Sequence, residues 1–197
     1  MDKVVFVGRD FVPERVSLGA GETLEVTFVL LGGASLDLEV SLDGEGASLD
    51  AAGLYLVSGD DKANIRLNVR HNVPGCTSRQ LFKGLAGGSS KASFDGLVYV
   101  APGAFGTKAS QENHSILLSS EAVAESRPQL EIYADDVECS HGATSGSLDP
   151  DSLFYMRSRG IPEQEAKRLQ ILSFLAPVLN RLPERQAEEA VRKIAEL

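Results

Sequence analysis

This chain has no tryptophan, only two cysteines and two methionines, and nowhere approaches the roughly 20 consecutive apolar residues that a membrane helix needs. Each shortage excludes something. Two cysteines, Cys76 and Cys139, cannot build a disulfide framework, so both are expected as reduced thiols, either buried fillers or metal ligands. The opening run from Met1 to Val7 meets Gly8 and Arg9 too early to serve as a secretory leader, and a cytoplasmic location is expected. Positive charge is short as well. The net charge is −9, and because residues 148–197 carry eight acidic and eight basic side chains, all of the excess lies in residues 1–147. A nucleic-acid binder needs a contiguous basic face to neutralise phosphates, so that partner class is set aside, as is a membrane.

What the chain does have is alternation. Leu24, Val26, Phe28 and Leu30 alternate with Glu25, Thr27 and Val29, which reads as a strand with one face inward. The pattern returns at Leu36, Leu38, Val40 and Leu42 and at Ile65, Leu67 and Val69. Turn formers separate the strands at Gly32-Gly33, Asp43-Gly44-Glu45-Gly46, Gly59-Asp60-Asp61, Gly87-Gly88 and Pro102-Gly103, with no helical stripe between them. A βαβ plan is therefore excluded, while a sandwich, a barrel and a solenoid all remain. The rarity of hairpin-type dipeptides, with Asp43-Gly44 and Asp95-Gly96 as the exceptions, leans toward a solenoid. At Asp149-Pro150 the pattern changes to helix, with an N-cap, a proline suited to the first turn and Gly160 closing the segment. A second helix is expected from Pro162, broken at Pro177 and Pro183, and a final amphipathic one carries Ala187, Ala190, Val191, Ile194 and Leu197. The expected division is a β unit over 1–147 and a helical unit over 148–197.

Chemistry concentrates in Val137-Glu138-Cys139-Ser140-His141-Gly142-Ala143-Thr144. If this stretch is strand, Cys139 and His141 share a face, and thiolate plus imidazole make half of an iron or zinc site. A buried cysteine beside a hydrogen-bonded histidine is the plainer reading of the same spacing. Catalysis by the pair would need a third, orienting group; Glu138 and Ser140 fall on the opposite face. Cys76, His71 and His114 each read alone as structural. The acidic pairs Asp60-Asp61 and Asp135-Asp136 adjoin turns, and no glycine-rich stretch completes a nucleotide-binding fingerprint.

Longer blocks are more specific than any of these. Ser78-Arg79-Gln80-Leu81-Phe82-Lys83-Gly84 is followed by Ala92-Ser93-Phe94-Asp95-Gly96-Leu97-Val98-Tyr99-Val100 and Thr107-Lys108-Ala109-Ser110-Gln111. Arg127-Pro128-Gln129-Leu130-Glu131-Ile132, then Asp136 to Thr144, then Leu153-Phe154-Tyr155-Met156-Arg157-Ser158-Arg159-Gly160-Ile161 complete the series. In this order the blocks resemble the SufB/SufD family of iron–sulfur cluster assembly proteins, and Cys-Ser-His-Gly-Ala-Thr resembles its SufD side, since SufB-type chains tend to place Glu at the Gly142 position. The chain is short for that family, whose members carry a long N-terminal helical segment and more coils.

The resemblance implies a mainly β fold, a right-handed parallel β-helix or β-solenoid followed by a small C-terminal α-helical domain. It implies a non-catalytic scaffold that pairs with a SufB-like subunit and receives a SufC-like ABC-type ATPase. A homodimer is expected in isolation. His141, with Cys139 beside it, is the implied cluster or metal contact, and Arg157, Arg159, Gly160, Ile161, Leu169 and Leu172 the implied ATPase dock. No metal or cofactor is expected to bind the isolated chain stably; the iron–sulfur cluster would be shared transiently with the partner scaffold. The rival reading is a solenoid enzyme acting on a polysaccharide or an acyl group. Cys76 matches no functional position of the family.

Overall fold

A computed structural model describes residues 3–197. Among these residues eleven strands precede three helices. The strands are β1 (Lys3–Phe6), β2 (Arg15–Leu18), β3 (Thr23–Leu31), β4 (Ala34–Leu42), β5 (Ser48–Val57) and β6 (Lys62–His71), followed by β7 (Thr77–Ala86), β8 (Lys91–Val100), β9 (Lys108–Leu117), β10 (Val123–Ile132) and β11 (Glu138–Gly146). The helices are α1 (Pro150–Ser158), α2 (Glu163–Leu179) and α3 (Glu184–Ile194). One sheet takes the odd strands in the order β1-β3-β5-β7-β9-β11, the other the even strands in the order β10-β8-β6-β4-β2. Every pairing is parallel. The chain alternates between the two sheets and advances one place in each, so it is a parallel β-solenoid of about four turns followed by helices.

Alternation dictates the packing, as expected for one-sided strands. In β4, Leu36, Leu38, Val40 and Leu42 are buried, and in β6 Ala63, Ile65, Leu67, Val69 and His71 are, while Arg66 stays outside and pairs with Asp37 at 2.9 Å. Register stacks like on like: Leu38 lies opposite Leu67 and Val40 opposite Val69. Each such side chain contributes on the order of 1.5–3 kcal/mol by leaving water.

The corners follow the same step. Gly21, Gly46, Gly75 and Gly106 recur at the coil period, all with φ between 67° and 71°, a conformation that a Cβ opposes. The amides of Gly21, Gly75 and Gly106 donate to the carbonyls of Glu45, Phe105 and Asp136 on the following coil, at 2.9, 2.9 and 2.8 Å. The fifth member of this column is Asp136, with φ of 55°, the only non-glycine in this region among the described residues. Asp is one of the few side chains that tolerates it.

Three sequence expectations are corrected. First, β3 is buried on both faces from Val26 to Leu30, because the outward face of the odd-strand sheet is covered by helices. Val29, Ala52, Leu54, Leu56 and Leu85 pack there against Ile171, Leu175, Val178, Leu182, Ala190 and Ile194. Arg181 secures this cover, donating to Asp50 Oδ1 at 2.7 Å and to the Asp50 carbonyl at 3.2 Å. Second, Pro177 does not end its helix: α2 runs on to Leu179, with the proline in its last turn. Only the carbonyl one turn earlier loses its donor, a smaller cost than a mid-helix break. Third, Asp95-Gly96 is no turn. It lies within β8, where a Cβ on Gly96 would come within 2.4 Å of the Gln111 amide nitrogen.

Candidate functional site

Each inward row of the odd-strand sheet can be followed from coil to coil. One row runs Leu24, Leu49, Ser78, Ala109, Cys139 and the next Val26, Ala51, Gln80, Gln111, His141. Cys139 and His141 therefore do share a face, the one that points into the solenoid. They sit on β11, the last strand of its sheet, so no further coil lies over them. Cys139 is half buried, against Val98, Val100, Ala104 and Ala109, and burial pushes its thiol up from the usual value, partly offset by hydrogen bonding from the Ala109 backbone. At neutral pH it is a thiol unless a metal or a positive charge arrives to favour the thiolate. His141 is exposed. Among the described residues no group of three or more His, Cys, Asp or Glu side chains could hold a metal ion. Two donors on one strand are too few to close a tetrahedral metal site.

The β11 edge has no strand paired to it among the described residues and carries no proline, whereas β10, the terminal strand of the other sheet at the same end, carries Pro128. Proline is confined to edges and blunts them, because it has no N–H to offer an approaching strand.

The remaining polar candidates have structural partners. His71 is fully buried, with Nε2 2.9 Å from Ser78 Oγ and Nδ1 without a partner among the described residues, and desolvation lowers its pKa to about 4. It is a neutral core histidine. His114 lies on the outward face, 2.8 Å from Thr144 Oγ1 and 3.1 Å from Glu112 Oε2. Cys76 is buried and its thiol lies 3.3 Å from the Gly44 carbonyl. Asp61 accepts from the Ser58 amide at 3.1 Å, and the Asp136 carbonyl accepts from Gly106. Both acidic pairs therefore build turns.

The helical candidates gather around α1 and the start of α2. Arg157 pairs with Glu163 at 3.5 Å, the Arg159 guanidinium lies 5.3 Å from the Tyr155 ring centre, and Gly160, at φ of 89°, ends α1. The Ile161 amide bonds back to the Met156 carbonyl at 3.2 Å. Leu169 is 40% exposed and lines an open groove of about 680 Å³ between α1, α2 and the ends of β9 and β11. Leu172 faces the other way, into the cluster beneath the helices. No residue of α1 is buried; Phe154 and Tyr155 are exposed. The residues that sequence reasoning overlooked are Gln80 and Gln111, fully interior and linked by a 3.0 Å hydrogen bond. Their signal was a polar residue at an inward position of the alternation, between Ala109 and Asn113.

Comparison with known proteins identifies the family. Residues 9–174 match the family model described as SUF system FeS cluster assembly, SufBD core domain. The chain is 38% identical over 164 residues to the iron–sulfur cluster assembly protein SufD of Escherichia coli, covering 82% of this chain and 39% of that protein. It is 36% identical to the SufD of Bacillus subtilis, covering 73% and 33%, and 42% identical to the Arabidopsis thaliana chloroplastic protein ABCI7, covering 60% and 25%. The chain spans less than half the length of these relatives. With a match over most of its length, the chain belongs to the SufB/SufD family of the SUF system and is most like SufD.

Proposed function

We propose that this chain acts as a non-catalytic, SufD-type scaffold in iron–sulfur cluster assembly, pairing through β11 with a SufB-like subunit. The observation that carries the reading is the coincidence of two features on one strand: β11 holds both the soft sulfur of Cys139 and the borderline nitrogen donor of His141, and also the open, proline-free edge. A partner strand that adds to this edge satisfies its unpaired backbone groups and brings further ligands to a half-site that cannot close alone. The cluster is cargo shared between the two chains. Without the partner, a second copy of this chain is the expected occupant, giving a homodimer in which donors are contributed pairwise.

The second interface is the helical end. Arg157, Arg159 and the exposed Phe154, Tyr155 and Leu169 form a mixed basic and apolar surface beside an open groove, suited to a SufC-like ATPase. Leu172 supports this surface from beneath.

The test is co-expression with a SufB-like scaffold and a SufC-like ATPase, followed by anaerobic cluster reconstitution. His141→Ala should keep the complex and lower cluster yield; normal yield removes the cluster-contact assignment. Arg159→Glu should weaken ATPase capture without affecting the scaffold pair, and unchanged capture removes the dock.

A further inference from the structure

Gln111 occupies the inward position directly beneath His141 in the register of β9 and β11. Its side chain is completely buried. Two contacts fix where its amide lies. On one side Nε2 donates to Gln80 Oε1 at 3.0 Å. Across the interior Gly96 has no side chain, and the amide fills that space so closely that a Cβ there would lie 2.4 Å from Nε2. The carbonyl oxygen of the same planar group lies against that space as well, 2.7 Å from the same Cβ position. That atom, Gln111 Oε1, is buried and has no hydrogen-bond partner among the described residues. An orphaned buried acceptor is costly, so a donor that can satisfy it is informative.

Registered residues on neighbouring strands share a face and lie about 4.8 Å apart at the backbone. The exposed imidazole of His141, in register with Gln111, carries an N–H that rotation of its side chain can turn to this carbonyl. We propose that Gln111 is a positioning residue for His141, its Oε1 accepting an imidazole N–H so that the opposite ring nitrogen is held unprotonated toward the open end of the solenoid. The Gln80–Gln111 pair then forms a short amide ladder that ends in the imidazole. Histidines that bind metals commonly donate their second N–H to a carbonyl or carboxylate, which sets tautomer and ring orientation. The functional consequence rests on the cluster-contact reading of His141; the hydrogen bond itself does not.

Nitrogen-15 NMR of the full 197-residue chain tests the bond without any metal. The expected result is a slowly exchanging imidazole N–H, assigned by its loss in His141→Ala, with a nuclear Overhauser effect to the Gln111 side-chain amide. Gln111→Met, which keeps the volume and removes the acceptor, should abolish the protected N–H, while Gln111→Glu, which restores an acceptor oxygen at the same reach, should keep it. A side chain that merely fills space would leave the N–H equally protected in Met and Glu variants, and that result overturns the proposal. So does its absence from the unsubstituted chain, a measurement that decides the matter even if Gln111→Met does not fold. In reconstitution with the partner scaffold, Gln111→Met should lower cluster yield about tenfold or more. Normal yield in His141→Ala alongside a confirmed N–H bond would remove the cluster reading and leave the positioning intact; normal yield in Gln111→Met alone would remove the consequence for assembly.

Discussion

The early coils and the last coil are built on the same register but filled differently. In the early coils the inward rows are Leu24 and Leu49, Val26 and Ala51, Phe28; at the far end the same rows carry Cys139, His141 and Ala143, by way of Ser78, Gln80, Gln111 and Asn113. The outward row changes in parallel, from Val29 and Leu54 to Lys83, His114 and Thr144. The corner column changes too, from glycine to Asp136. One end is optimised for burial, the other retains polar groups whose value to stability is small and whose value to recognition can be large.

The largest effect expected from this contrast is at the apolar end. Phe28→Ala, at a ring that is 2% exposed, should destabilise by about 3–5 kcal/mol through lost transfer energy and a residual cavity, read from chemical denaturation. A loss below about 1 kcal/mol would mean that the early coils are loosely packed. Next comes His71, whose pKa is lowered from 6.5 to about 4. A base with a depressed folded pKa stabilises the fold above its unfolded pKa, and the contribution is lost as pH falls from 6.5 through about 4. The stability difference between the unsubstituted chain and His71→Leu should therefore shrink over that window, by an amount on the order of 3 kcal/mol if the shift is realised in full. A constant difference would show that His71 can reach water.

The interior glutamines sharpen the comparison from the other side. Gln80→Leu should cost about 1–3 kcal/mol by stranding Gln111, and the double change of Gln80 and Gln111 to Leu should recover most of it. If the double variant is as unstable as the single one, the ladder contributes to the fold itself and not only to the site. The smallest effect is at the corner: Asp136→Gly should raise stability by up to about 1 kcal/mol, since the left-handed conformation ceases to oppose a Cβ. A destabilised variant would show that the Asp136 side chain does more than tolerate the turn.

Much of this architecture was legible in the alternation of Leu36 to Leu42 and Ile65 to Val69 and in the switch at Asp149-Pro150. The family blocks turned strands of undetermined arrangement into coils. What stayed hidden depends on contacts distant in sequence. Val29 looks like an exposed strand position until residues 171–194 are placed over it. Gly96 looks like a turn until Gln111 is seen filling its missing side chain. Pro177 looks like a helix terminator because one sequence cannot tell the last turn of a helix from its middle. For the site, the shared face of Cys139 and His141 followed from spacing alone, whereas the unpartnered Gln111 carbonyl one strand below His141 required the register.

The helical cover has a consequence for synthesis. Val29, Ala52, Leu54 and Leu56 leave the ribosome more than a hundred residues ahead of Ile171 and Leu175, which shield them. During that interval the nascent solenoid presents a greasy wall with nothing yet to close it. Chaperone demand should therefore peak late in translation, and slowing elongation across α2 should raise aggregation more than slowing it across the early coils.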